Sequence, residues 1–434
     1  MTTSRPQPTA PFTIGVETAE ALDKSDPLAH LRSEFRIPRG ANGEPQIYLV
    51  GNSLGAVPTR TADYVNAELE RWAELGVAGH FTGETAWEPY HELLTDQMSA
   101  IVGGHNDEVV VMNSLTVNLH LLMVSFYDPT PARHKILIEE HAFPSDHFAV
   151  ESQIRQRGFD PETSLVTVSP RPDSHRIEPE DILAAIAEHG DALAMILLPG
   201  VQYYTGQVLP LPEITRAGHA VGAKVGFDLA HAVGNIELDL HDWGVDFAAW
   251  CTYKYLNSGP GGVGGAFVHN RHIADKNLNK LLGWWGARKD TRFEMATVYE
   301  AIPTVESWQL SNAPVLAMAA LRASLDVVDE AGGIGALRQK TERQIPYFDF
   351  LLDEVLGSRI ENVTPNALSE RGCQFALRVA DNSFVGRDVY EQLEAADVAC
   401  DWRYPDVIRV APVPLYNTFT DIHRFVTILD GLLT

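Results

Sequence analysis

The chain has 434 residues, and 33 Lys and Arg against 58 Asp and Glu leave a formal charge of −25 at pH 7. A composition of 45% hydrophobic and 21% charged residues excludes disordered, collagen-like and coiled-coil chains, and the length exceeds the roughly 250–300 residues at which a single core stops growing, so at least two domains are expected. A surface this acidic repels nucleic-acid phosphates and anionic lipid heads; neither is an expected partner, and any anionic ligand needs a local cradle.

Met1 to Pro11 is rich in Thr and Pro and lacks an apolar core, and the run Ala192 to Leu198 falls far short of the roughly 20 residues that span a bilayer, so a cytoplasmic protein is expected. Residues 1–57 read as an N-terminal arm packing with a small C-terminal domain. Val65, Leu69, Trp72 and Ala73 then recur at helical spacing over about 58–75. Seven apolar runs follow: Glu108 to Met112, Lys135 to Glu139, Ser164 to Val168, Leu193 to Leu198, Lys224 to Phe227, Phe247 to Thr252 and Gly265 to His269. Most are separated by helical stretches such as Leu115 to Phe126 and Ile182 to His189, the pattern of a mostly parallel seven-stranded sheet covered on both faces, with the last run free to pair antiparallel. This is an α/β domain over 58–313. Pro314 to Ala331 reads as a helix ending at Gly332-Gly333 and leading into a small α+β domain, 314–434, with strands around Phe375 to Val379 and Val407 to Val413 and a last helix marked by Ile422, Phe425, Val426 and Leu429. The cysteines, Cys251, Cys373 and Cys400, form no C-x-x-C pair and suggest neither a disulfide framework nor zinc.

Asp228 and Lys254 each follow an apolar run, which places both near the carboxyl ends of strands, where open α/β sheets bind ligands. Pyridoxal phosphate needs such a pair, a lysine to form the Schiff base and a carboxylate to keep the ring nitrogen protonated; the same two residues would also serve as a structural ion pair. Asn113-Ser114-Leu115-Thr116 lies where a strand turns into a helix, either a phosphate cradle or a plain N-cap. The loop His141-Ala-Phe-Pro-Ser-Asp-His147 offers Phe143 to stack on a ring and Asp146 as an acceptor; Pro144 breaks helical spacing, and no metal is expected. The glycines of Gly259 to Gly265 precede an apolar run and link no strand to a helix, so they fail the dinucleotide fingerprint and suit close backbone approach.

The segments Tyr48 to Gly55, Met112 to His120, Phe143 to Asp146, Gln202 to Gly206, Gly226 to Asn235, Tyr253 to Asn257 and Arg409 to Asn417 resemble the kynureninase family, in order, over nearly the whole chain. The resemblance implies a fold-type I pyridoxal-phosphate homodimer with active sites at the subunit interface, acting in tryptophan catabolism. It implies hydrolysis of kynurenine or 3-hydroxykynurenine to anthranilate or 3-hydroxyanthranilate plus L-alanine. Lys254 is then the Schiff-base lysine, Asp228 the partner of the ring nitrogen, Phe143 the ring stacker with Asp146 and His231 close by, and Tyr253 a proton relay. Leu115, Thr116 and Tyr253 hold the phosphate, joined by Trp284 and Asn312 of the neighbouring subunit. Arg409 clamps the α-carboxylate, with Ser53 also on the substrate side, and His80, Ser311 and Asn312 resemble the branch favouring the 3-hydroxylated substrate. Pro199 stands where some relatives carry a serine near the cofactor and has no donor to offer. The competing readings are another enzyme of the same fold, a cysteine desulfurase-like lyase or an aminotransferase, and a non-catalytic protein that keeps the cofactor as a ligand.

Overall fold

In the computed structural model, residues 12–295 and 297–434 are described; the first eleven residues of the arm read from the sequence lie outside them. The seven apolar runs form strands β1 (Val109–Val111), β2 (Lys135–Glu139), β3 (Leu165–Val168), β4 (Leu193–Pro199), β5 (Lys224–Asp228), β6 (Phe247–Cys251) and β7 (Gly264–Val268). They build one sheet of order β1-β7-β6-β5-β4-β2-β3. β7 pairs antiparallel with both of its neighbours, and every other adjacent pair is parallel. Because side chains alternate along a strand, each strand feeds two cores. Leu137, Ile196, Leu198, Val225, Phe227 and Trp250 pack on one face, and Ile136, Ile138, Met195, Leu197, Phe247 and Ala249 on the other. Burial on both faces is why these strands read as continuous apolar runs. At the antiparallel strand, a Cβ on Gly265 would lie 2.3 Å from the Trp250 ring, so the glycine-rich segment serves close packing of β7 against β6.

Helix α1 (Val16–Lys24) docks on the last helix, α7 (Phe419–Leu432), where the Asp23 carboxylate accepts the N–H of Phe419 at 2.6 Å and of Thr420 at 3.1 Å. Helix α2 (Thr61–Leu75) departs from its sequence reading. Its Trp72 is 62% exposed and Leu69 is exposed as well. The buried position is Glu68, whose carboxylate accepts from the Trp87 indole at 2.8 Å and the Tyr90 hydroxyl at 3.1 Å. Of the apolar stripe, Val65 packs against the large core while Leu69 and Trp72 stay exposed. Helices α3 (Leu115–Phe126) and α4 (Pro144–Gln156) start at the carboxyl ends of β1 and β2. Helix α5 (Val315–Glu330) sends Met318, Leu321, Leu325 and Val328 into the same core as Leu137 and Phe227. Helix α6 (Gly333–Leu351) follows, and with α7 it covers an antiparallel sheet of β8 (Ile360–Asn362), β9 (Phe375–Val379), β10 (Asp401–Arg403) and β11 (Val407–Val410), in the order β8-β9-β11-β10. Phe348, Phe375, Phe425 and Leu429 fill that second core. Among the described residues no helix is long and apolar enough to cross a membrane.

Candidate active site

A cavity of about 300 Å³ opens at the carboxyl ends of the parallel strands, and β11 of the small sheet closes its side. Into it the fold brings Lys254, Asp228, Tyr253, Leu115, Thr116, Phe143, Asp146, His231, Ser53 and Arg409, ten residues read from sequence. Asp228 is the last residue of β5, and Lys254 follows three residues after β6. Pairing of β5 with β6 in parallel brings the two chain ends to one edge.

The anion cradle comes from two helix starts. Asn113 has φ +49°, a left-handed turn that asparagine tolerates. Ser114 behind it is extended and makes no side-chain cap bond, and neither does Phe143 at the head of α4. Ser114, Leu115, Thr116 and Ser145 at these two helix starts line the cavity, an arrangement suited to a phosphate. The Thr116 and Ser145 hydroxyls, 2.8 Å apart, tie the two starts together. The plain N-cap reading of Ser114 fails because its hydroxyl caps nothing.

Burial pushes the Lys254 amine below its ordinary range, which favours the uncharged form that forms a covalent bond to a carbonyl. Its Nζ lies 2.9 Å from His231 Nε2. Burial and the positive charge of Lys254 hold that imidazole far below its usual value, so it stays neutral and can accept from the amine. Its other nitrogen, Nδ1, is buried without a partner among the described residues. The Asp228 carboxylate is fixed by the Ala230 N–H at 2.6 Å. Burial, and Asp228 beside it, raise Asp146 well above the usual carboxylate range. Burial also raises the Tyr253 phenol, which is therefore a proton donor at neutral pH. An amine, an opposed carboxylate, two helix starts, an aromatic wall and an orphaned imidazole nitrogen fit a flat heterocycle with a phosphate at one end.

Arg409 is buried and arrives with its guanidinium already ordered. Its Nε donates to Asp401 Oδ1 at 2.7 Å and its Nη2 to Asp401 Oδ2, while Nη1 donates to the Tyr203 carbonyl at 2.6 Å and Nη2 to Ser53 Oγ at 3.1 Å. Burial works against charge on Asp401, yet the Arg409 fork and its neighbour Arg403 hold the carboxyl below its ordinary range. Sequence reading missed Asp401, Arg403, Asn52, Tyr203 and Glu139, all at or beside the cavity. Asp401 was the most accessible of these, since it sits opposite Arg409 in the antiparallel register of β10 and β11.

Four sequence-derived residues lie outside this cavity. His80 packs edge-on to Trp87 with centroids 5.3 Å apart. Trp284 is about half exposed and meets Phe293 edge-on with centroids 5.3 Å apart, and Phe293 in turn meets Phe81 edge-on at 5.4 Å. Ser311 and Asn312 border a different cavity, with Met112 and Gly261. Among the described residues, the His/Glu groups close enough to share an ion are His105, Glu108, His241 and His91, Glu92, Glu306, and none of these lines the site. Cys251, Cys373 and Cys400 are buried, and burial raises each thiol, the reverse of what a nucleophilic cysteine needs.

Residues 337–429 match the kynureninase C-terminal domain. A kynureninase of Koribacter versatilis (strain Ellin345) is 50% identical over 417 residues, 96% of this chain and 97% of that protein. One from Xanthomonas campestris pv. campestris (strain B100) is 53% identical over 408 residues, 94% and 96% of the two chains. The chain belongs to the kynureninase family. Its members are hydrolases acting on carbon–carbon bonds in ketonic substances, and this chain is one of them. Among solved structures, the cystine C-S lyase C-DES with its product cysteine persulfide superposes with a TM-score of 0.75 at 17% identity, covering 89% of this chain and 97% of that one. The apo cysteine desulfurase of Thermococcus onnurineus NA1 gives 0.72 at 15% identity, covering 98% and 99%. These neighbours share the fold, an α/β unit with a mixed seven-stranded sheet and a C-terminal domain.

Proposed function

We propose that this member of the family hydrolyses the Cβ–Cγ bond of L-kynurenine and, by preference, of 3-hydroxy-L-kynurenine, releasing L-alanine and the corresponding anthranilate. The observation that carries the reading is the convergence of Lys254, Asp228 and Arg409 on one cavity of about 300 Å³. The cofactor is pyridoxal 5′-phosphate, which when bound accepts the electron pair released as bonds to the substrate's α- and β-carbons break. Lys254 would hold it and, with substrate bound, take the Cα proton, a role suited to an amine whose charge burial disfavours. The Asp228 carboxylate, aimed by the Ala230 N–H, would pair with the ring nitrogen. Leu115 and Thr116, at the start of α3, would hold the phosphate, and Phe143 would supply the aromatic wall for the ring. Arg409 and Ser53 orient the substrate carboxylate. Water adds to the γ-carbonyl, the Cβ–Cγ bond breaks with its electron pair left on Cβ, and Tyr253 supplies a proton there.

We also infer a homodimer that shares its active sites. The aromatic cluster of Phe81, Phe293 and Trp284 is exposed next to Leu281 and Leu282, an apolar patch of the kind that a second copy covers. His80 is sequence-adjacent to that patch, so a partner's patch could carry Trp284 and His80 together to the cavity mouth. Asn312 and Ser311 are exposed at the head of α5 and join the same assignment. The division into units 58–313 and 314–434 belongs to the same proposal, with α5, at the start of the second, packing into the large core. A cytoplasmic location accords with the acidic composition. Lys254→Ala tests the reading: turnover of either substrate and the visible absorbance of the bound cofactor should both be lost. Turnover by wild-type protein stripped of cofactor would refute it.

A further inference from the structure

Strand β2 ends in a carboxyl group that no step above uses. Glu139 is 2% exposed and sits in the wall shared by the active-site cavity and a second cavity of about 360 Å³. Its Oε1 accepts weakly from the Gln202 amide at 3.5 Å, and its Oε2 has no partner among the described residues. On the cofactor side it looks toward Asp146, Asp228, His231, Lys254 and the guanidinium groups of Arg403 and Arg409. On the other side lie Glu140, His141, His175, Tyr203, Tyr204 and Tyr404. Three carboxyl groups, those of Glu139, Asp146 and Asp228, thus line one cavity, where a single ring nitrogen would ask for one negative charge. Like charges at close quarters cannot all ionise.

We propose that Glu139 is a positioning residue that keeps its proton and, as a neutral acid behind Asp146 and Asp228, leaves Asp228 as the one carboxylate facing the ring nitrogen. The inference rests on the cofactor role argued above for Asp228. Burial, opposed only by the Gln202 contact and reinforced by the charge of Asp228, pushes Glu139 up to about 8, in keeping with a proton retained at neutral pH. A glutamine at this position reproduces both the shape and the missing charge, whereas alanine removes the side chain.

Infrared spectra of the holoenzyme, taken across pH 6 to 10, read the proton directly. The wild-type protein should display at neutral pH the carbonyl band of a protonated carboxylic acid that Glu139→Gln lacks, fading only as pH rises; Asp146→Asn separates the contribution of that neighbour. Equilibrium dissociation of the cofactor supplies the second readout. Glu139→Ala should weaken retention at least about tenfold while Glu139→Gln restores it to near wild type. An identical band in wild type and Glu139→Gln, or retention in Glu139→Gln as poor as in Glu139→Ala, overturns the proposal. Absence of any visible cofactor band in the reconstituted wild type would instead sink the function proposed above, so the two failures are distinguishable.

Discussion

The Asp401 carboxylate offers a sharp test of how the substrate clamp is built. Arg409 is about 1% exposed in its side chain, and Asp401 takes its Nε and Nη2 donors while also meeting Arg403 Nη2 at 3.2 Å. Asp401→Ala leaves one buried guanidinium without its counter-ion and brings a second, Arg403, into unrelieved repulsion. Removing one partner of such a pair costs about 3–5 kcal/mol. Asp401→Asn keeps the volume and one acceptor but turns an N–H₂ toward a donor, and losing one charge-assisted bond costs about 1.5–3 kcal/mol. Urea unfolding at pH 7 should resolve both losses, and KM for the amino-acid substrate should rise about tenfold or more as the fork loses its aim. The sign with pH follows from the lowered carboxyl. Its stabilisation is complete above the unfolded value of about 3.9 and disappears as pH falls through the folded value, so the wild-type and Asp401→Asn stabilities should converge in acid. Equal stability at pH 7 with an unchanged KM would refute the account of Arg409 as a group held in place by its neighbour.

Other consequences are as direct. If each cavity is completed by a partner's Asn312, then inactive Lys254→Ala and Asn312→Ala proteins, unfolded and refolded together, should regain about a quarter of wild-type activity, since half the dimers are mixed and each has one intact site of two; no regain would argue for sites built from one chain. Asp228→Ala should weaken cofactor retention and slow exchange of the substrate Cα proton with solvent, and unchanged exchange measured by NMR would remove its electronic role. Competition between the two substrates should give a higher kcat/KM for 3-hydroxykynurenine, because a buried polar group facing a missing hydroxyl costs about 1–3 kcal/mol; equality or reversal would withdraw His80, Ser311 and Asn312 as selectors.

What could be read in advance, and what could not, divides along the range of the interactions. Strand identity was legible because most of the runs of β1 to β7 are buried on both faces and so nearly continuous in apolar character, and the last run was left free to pair antiparallel, as it does. Lys254 and Asp228 were legible because each ends or follows such a run, which brings it to the carboxyl edge of the sheet. Periodicity misled at α2, where the stripe of Leu69 and Trp72 has the spacing of a core face yet lies exposed, while Glu68 is buried with its own donors. Sequence spacing cannot tell an apolar stripe that enters the core from one that stays exposed. Glu139 was unreadable for a different reason. As the last residue of a strand it resembles any polar terminator, and its distinction lies in Asp146 and Asp228, which come from other elements of the fold. Nor does spacing reveal that Arg409 enters the cavity already held by Asp401, Ser53 and the Tyr203 carbonyl. A motif therefore names the groups that touch a ligand, while their charge and aim are set by neighbours that only the folded chain assembles.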